Sequence, residues 1–166
     1  MAKKNITITQ YASELIYDIQ NKSYLTGRSR STGENHEEVA HMQIGDDDED
    51  INQILRSIGN ALGALKTKLS EFINASGTTG NDALINKNSN ISVSLVMPSN
   101  YNSATLDTLT TAIHQYLVNS ALGEWFTITD KNDAKDYVTM AAANLEQIRE
   151  ALHKRVSPTR TNPSGI

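Results

Sequence analysis

Residues 48 to 72 read DEDINQILRSIGNALGALKTKLSEF, with Ile51, Leu55, Ile58, Leu62, Leu65, Leu69 and Phe72 stepping by 4, 3, 4, 3, 4 and 3 residues. An α-helix turns through about 100° per residue, so these steps return each side chain to one stripe. Such a stripe is the heptad seam along which one helix packs lengthwise on another. The stretch therefore predicts a helix from about Asp48 to Asn74 with a partner helix nearly parallel or antiparallel to it. Gly59 and Gly63 lie beside the seam. Each weakens a helix by about 1 kcal/mol relative to alanine. They mark either a close backbone approach or a tolerant, solvated face. The run Ala75-Ser76-Gly77-Thr78-Thr79-Gly80-Asn81 ends the helix.

A second seam of the same kind lies near the end of the chain. Asp130 and Asp133 open a helix in which Ala134, Val138, Ala141, Leu145, Ile148 and Leu152 step by 4, 3, 4, 3 and 4. His153, Lys154 and Arg155 meet the negative end of its dipole, and Pro158 closes it. Two seams of matching period imply that these helices pack together. The economical solution is a mainly α fold, a small bundle of about four helices with one or two short strands. The remaining helices run from about Thr9 to Gln20, striped by Ala12, Leu15, Ile16 and Ile19, and from Ser103 to Gly123, striped by Leu106, Leu109, Ile113, Tyr116 and Leu117. Gly123 breaks the latter, and Trp125 sits at the corner that follows.

Strand signals are sparse. Asn5 to Thr9 alternates isoleucine with polar residues, and Ile91, Val93, Leu95 and Met97 fall on one face of a strand. A single strand cannot satisfy its own backbone. Its partner is the 5 to 9 segment, the Phe126 to Thr129 segment, or a strand from a neighbouring subunit, which makes Ile91, Val93, Leu95 and Met97 candidate interface residues. One domain spans residues 1 to 155, with a long acidic and polar loop from 21 to 47, and residues 156 to 166 leave it as an extended tail.

That loop holds the most reactive-looking part of the chain, NHEEVAHMQIGDDDED, residues 35 to 50. The zinc-protease signature needs two histidines four apart on one helix face. His36 and His41 are five apart, about 140° around a helix, so they cannot share an ion there. Glu37 and Glu38 lie between them without a further ligand at a recognisable spacing. Asp46, Asp47, Asp48, Glu49 and Asp50 lack the alternation and central glycine of a calcium loop. Their place at a helix start instead suits the positive end of its dipole and the unpaired N–H groups of the first turn. No metal or other cofactor is expected.

Composition narrows the function. With no cysteine, the chain has no disulfide, thiolate nucleophile or cysteine-based zinc site. An apolar fraction of 38% is low for a compact globule, so some of the chain is expected to be ordered only in an assembly. The net charge of −4 and the scattered basic residues argue against a phosphate-binding stripe. Serine and threonine are abundant but form no nucleophile elbow, and Gly77 to Asn81 lacks the lysine of a phosphate-binding loop. His114, beside an apolar stripe, reads as structural. No catalytic set emerges, and the expectation is a protein that is not an enzyme. Neither a signal peptide nor a membrane-length apolar window is visible, so a cytoplasmic origin without membrane association is expected.

Residues 96 to 160, VMPSNYNSATLDTLTTAIHQYLVNSALGEWFTITDKNDAKDYVTMAAANLEQIREALHKRVSPTR, are similar to small proteins in the structural-gene clusters of tailed phages and prophages of gut Bacteroidetes. The likeness rests on the strand ending Met97-Pro98-Ser99, on Glu124-Trp125-Phe126, on Asp133-Ala134-Lys135-Asp136-Tyr137 and on the basic finish from Arg155 to Pro158, with a weaker echo from Tyr11 to Arg28. The resemblance implies a virion structural protein, a head-to-tail connector whose copies form a homo-oligomeric ring between the portal protein and the tail or neck proteins. DNA would pass nearby without sequence-specific binding, and Asp46 to Asp50 would form an acidic rim that repels it. Lys154, Arg155 and Arg160 join the strand as interface candidates. A tail terminator or completion protein, with a sheet as its core, is the alternative. A non-viral helical adaptor that binds a partner helix through the seams is another.

Overall fold

The computed structural model describes residues 2–74, 80 and 82–160. The fold is mainly helical, with five helices and one two-stranded antiparallel sheet. In chain order the elements are β1 (Lys4–Tyr11), α1 (Ala12–Ser29), α2 (His36–Met42), α3 (Asp48–Lys68), β2 (Asn90–Met97), α4 (Leu106–Thr129) and α5 (Lys131–His153).

The arrangement follows from α4. Its buried residues, among them Leu109, Ile113, Tyr116, Leu117, Val118, Leu122 and Phe126, are distributed around the helix rather than along one stripe. A helix apolar on most sides has to be surrounded. Helices α1, α3 and α5 all pack on it, α5 most extensively. The two seams read from the sequence therefore pack chiefly on the central helix rather than on each other, with Phe72 meeting His153 at the end of α5. In α3 the buried stripe is Ile51, Leu55, Ile58 and Leu65, widened by Ile54 and Ala61, and Leu62 is only half-buried. That breadth is the signature of packing on a globular core rather than on one partner helix. Helix α3 stops at Lys68, so Leu69 and Phe72 complete the seam from a turn. Gly63 has open space around it and Gly59 makes only ordinary contact with Ile85, so neither marks a close backbone approach.

Gly123 does not break α4. A Cβ there would lie 3.1 Å from Val138 Cγ2, so the glycine lets α5 approach while the helix continues to Thr129. Phe126 to Thr129 is accordingly helical, and Phe126 stacks on Tyr137 with ring centroids 5.3 Å apart. Tyr137 takes the place in the α5 stripe assigned to Val138, which is 56% exposed. Asp130 ends α4 and caps α5, its side chain accepting from the backbone N–H groups of Asn132 and Asp133.

The 21 to 47 segment is less loop-like than its polarity suggested. Helix α1 runs to Ser29, and α2 occupies seven residues of the segment. Both were hidden by small polar residues used for close packing. Ser23 and Gly27 are buried. The Ser23 hydroxyl accepts from the Ile44 N–H, and a Cβ on Gly27 would lie 2.9 Å from the Gln43 side chain. A seven-residue helix has little stability alone. Helix α2 is held by buried Met42, by neighbouring Ile44, and by the Trp125 indole N–H, which donates to the Met42 carbonyl at 2.9 Å.

Strand β2 pairs with β1 in a register running from Lys4 opposite Met97 to Tyr11 opposite Asn90, so its partner is the chain's own N-terminal strand. On its other side Val96 N–H donates to the Phe72 carbonyl and Asn74 N–H to the Ser94 carbonyl. Residues 154–160 follow α5 without helix. The remainder of the expected tail, 161 to 166, and most of the expected 75–81 loop lie outside the described residues.

Leu117, with no exposure, should lose about 2–5 kcal/mol of stability when replaced by alanine. Val138→Ala should change stability by about 0.5 kcal/mol or less. Urea unfolding of both variants checks that α4 is enclosed and that Val138 lies outside the buried stripe of α5.

Candidate functional site

Ile91, Val93, Leu95 and Met97 are each at most 5% exposed and belong to the hydrophobic core. Their face of β2 is turned inward, so they offer no contact surface. The alternation that marks a strand does not say whether the apolar side meets the chain's own core or another subunit.

Arg155 closes the end of α5, its guanidinium donating to the Leu152 and Lys154 carbonyls. Lys154 pairs with Glu150 at 3.1 Å, and Arg160 is exposed. The backbone beyond α5 is tied to the turn after β2: Asn102 N–H donates to the Lys154 carbonyl and Val156 N–H to the Asn100 carbonyl. These residues thus start an extended arm at one end of the sheet.

At the start of α3, Asp46 to Glu49 are exposed and Asp50 is half-buried. Asp50 accepts from the Gly45 N–H at 2.8 Å and Asp46 from the Gln20 amide at 3.0 Å, which pins the turn before the helix. The run places carboxylates at the positive end of the α3 dipole. His36, Glu37, Glu38 and His41 lie exposed on α2, and among the described residues no group of three or more such side chains is placed to hold a metal. No described helix is long and apolar enough to cross a membrane.

His114 is held by polar contacts at both ring nitrogens. Its Nε2 lies 2.6 Å from Asp18 Oδ2 on α1, and its Nδ1 lies 3.1 Å from Gln10 Oε1 on β1. Buried Gln10 donates its own amide to the Thr110 carbonyl, which turns Oε1 toward the ring. Both contacts are hydrogen bonds when each ring nitrogen carries a proton. Neither nitrogen is left over to act on a substrate, so the cluster clasps β1, α1 and α4 together. Beside it runs an open groove of about 600 Å³, lined by Thr9, Tyr11, Glu14, Tyr17 and Thr111 among others. The sequence placed His114 beside a core stripe but carried no signal for Gln10 or Asp18, which lie 104 and 96 residues away. A second open groove, about 650 Å³, runs along the outside of the α4–α5 contact and is lined by Thr108, Gln115, Gln147 and Glu150 among others.

One turn beyond Asp18, Lys22 reaches α4 and donates to Gln115 at 3.1 Å and Asn119 at 3.5 Å. Burial holds its pKa below the ordinary lysine value, with Asp18 acting in the opposite sense. On the other flank the Arg30 guanidinium binds buried Asp133 at the start of α5, which pushes the Arg30 pKa up.

No protein-family model matches the chain, and no curated protein or solved structure matches it.

Because the folded-state pKa of Lys22 is lowered, the unfolded chain binds more protons between that value and the ordinary one of 10.5. Stability relative to a Lys22→Met variant should therefore rise with pH across that window. Urea unfolding at several alkaline pH values checks this, and a flat difference between the two proteins contradicts it.

Proposed function

We propose that the chain is a structural subunit of a tailed-phage virion, a head-to-tail connector that forms a ring between portal and tail and turns over no substrate. The observation that carries this reading is the arm from Lys154 to Arg160. It leaves the last helix as extended backbone, is held to the body through residues 100 and 102, and then exposes Val156 to Arg160. An arm of this kind gains its remaining order by docking on a neighbour. It lies within the stretch, 96 to 160, whose residues resemble phage structural proteins. The exposed carboxylates at Asp46 to Glu49 then form a rim whose negative potential keeps passing DNA from adhering.

A sheet-cored tail terminator is less well supported, since the sheet has two strands and the core is helical. The helix-binding adaptor loses its main support because the stripes of α3 and α5 are already buried within the chain.

Electron microscopy of the protein mixed with a portal ring provides the test. The expected result is an added ring of density on the portal. A chain ending at Ser157 should keep the helical circular dichroism of the full chain yet fail to form that ring. A full-length protein that stays monomeric and unbound with portal present overturns the reading.

A further inference from the structure

Among the described residues the sheet is covered on its β2 side and open on its β1 side. Ladder parity decides which backbone groups of β1 face outward. Ala12 N–H bonds the Ser89 carbonyl, extending the ladder in which even residues of β1 face odd residues of β2. The outward bonds of Val96 and Ser94 to residues 72 and 74 agree with that parity. The N–H and C=O groups of Lys4, Ile6, Ile8 and Gln10 are therefore spent on β2, and those of Asn5, Thr7 and Thr9 point to the outer edge. Among the described residues no backbone or side-chain hydrogen bond reaches them. This edge has no proline or bulge, its only charge is Lys4 at the first residue of the strand, and the stretch Asn5-Ile6-Thr7-Ile8-Thr9 is uncharged and mostly β-branched.

We infer that the free chain forms a two-fold dimer in which the outer edge of β1 pairs antiparallel with the same edge of a second copy, with Thr7 on the two-fold axis. Only registers that match outward-facing residues with each other complete the bonds. Among the symmetric ones, that centred on Thr7 overlaps the most strand, from Lys4 to Gln10. It sets Thr7 against Thr7, Asn5 against Thr9, and half-buried Ile6 against Ile8 on the core side. Threonine and β-branched cross-strand pairs of this kind are favourable. Lys4 falls opposite Gln10 and Lys3 opposite Tyr11, so no two lysines are directly opposed. The antiparallel sense also carries the Lys3 end of one copy to the groove beside β1 in the other, where Glu14 supplies negative charge. A second copy is therefore complementary in backbone, in side-chain pairing and in charge.

The inference goes beyond the connector reading and does not depend on it, because it concerns the chain without portal. A two-fold pair closes on itself, so a ring would have to be built on other contacts.

Native mass spectrometry and sedimentation over a dilution series should give the mass of two chains. Thr7→Pro removes an N–H that makes no bond to β2, so it should keep the wild-type circular dichroism and give the mass of one chain. Thr7→Lys and Thr7→Asp should each be monomeric alone, and mixing them should restore a dimer containing one of each, since only this register sets the two charges face to face. A wild-type mass of one chain throughout the series overturns the inference. So does a folded Thr7→Pro protein that keeps the mass of two chains. Failure of the Lys and Asp variants to pair on mixing overturns the Thr7-centred register.

Discussion

Helix α4 has nowhere to go but the middle. With buried residues on most of its circumference, it can be stable only when other elements cover it, and the rest of the chain is organised by that demand. Helix α5 is joined to it at Asp130 and folds back along it, Gly123 permitting the close approach. Helices α3 and α1 supply further cover. A bundle built around one enclosed helix is less symmetric than a four-helix coiled coil. It needs no matched pair of seams, only neighbours that each carry one apolar stripe.

The outer helices are oriented by polar contacts that run through or around α4. Lys22 on α1 bonds Asn119 on α4, and Asn119 bonds Asn144 on α5 at 2.7 Å. Farther along, Thr26 meets Tyr137 at 2.7 Å and Arg30 meets Asp133. Together with the Gln10, Asp18 and His114 clasp, these pairs select one arrangement among several that would bury similar apolar area. Among the described residues no buried side-chain polar atom lacks a partner. A satisfied network adds specificity, whereas one member left alone would cost about 1–3 kcal/mol.

The helical class was legible because periodicity survives without context. The stripes of α3 and α5 and the alternation from Ile91 to Met97 are local patterns that the structure contains. What they pack against was not legible, since a stripe looks the same facing a partner helix, a central helix or another subunit. The same ambiguity made Ile91, Val93, Leu95 and Met97 look like an interface when they are core. Helix α2 and the second half of α1 were missed because their packing uses Ser23, Gly27 and an indole bond from Trp125, none of which produces an apolar period. Gly123 misled for a related reason: a glycine required for close approach and one that ends a helix are the same letter. For the clasp at His114 there was no local signal, because the residues that hold its ring are far away in the chain.

The start of β1 and the backbone that follows α5 meet at one residue. Tyr101 is fully buried at the end of the sheet. Its carbonyl accepts from Lys4 Nζ at the first residue of β1, and its backbone forms a bridge with Arg155 at the root of the arm. The Thr105 hydroxyl lies 3.0 Å from the Tyr101 hydroxyl and 3.1 Å from the Ala151 carbonyl, joining the same post to the last turn of α5. Tyr101 thus ties the first residue of β1, the backbone just after α5 and the last turn of α5 to one buried side chain, which cannot be displaced without opening the core.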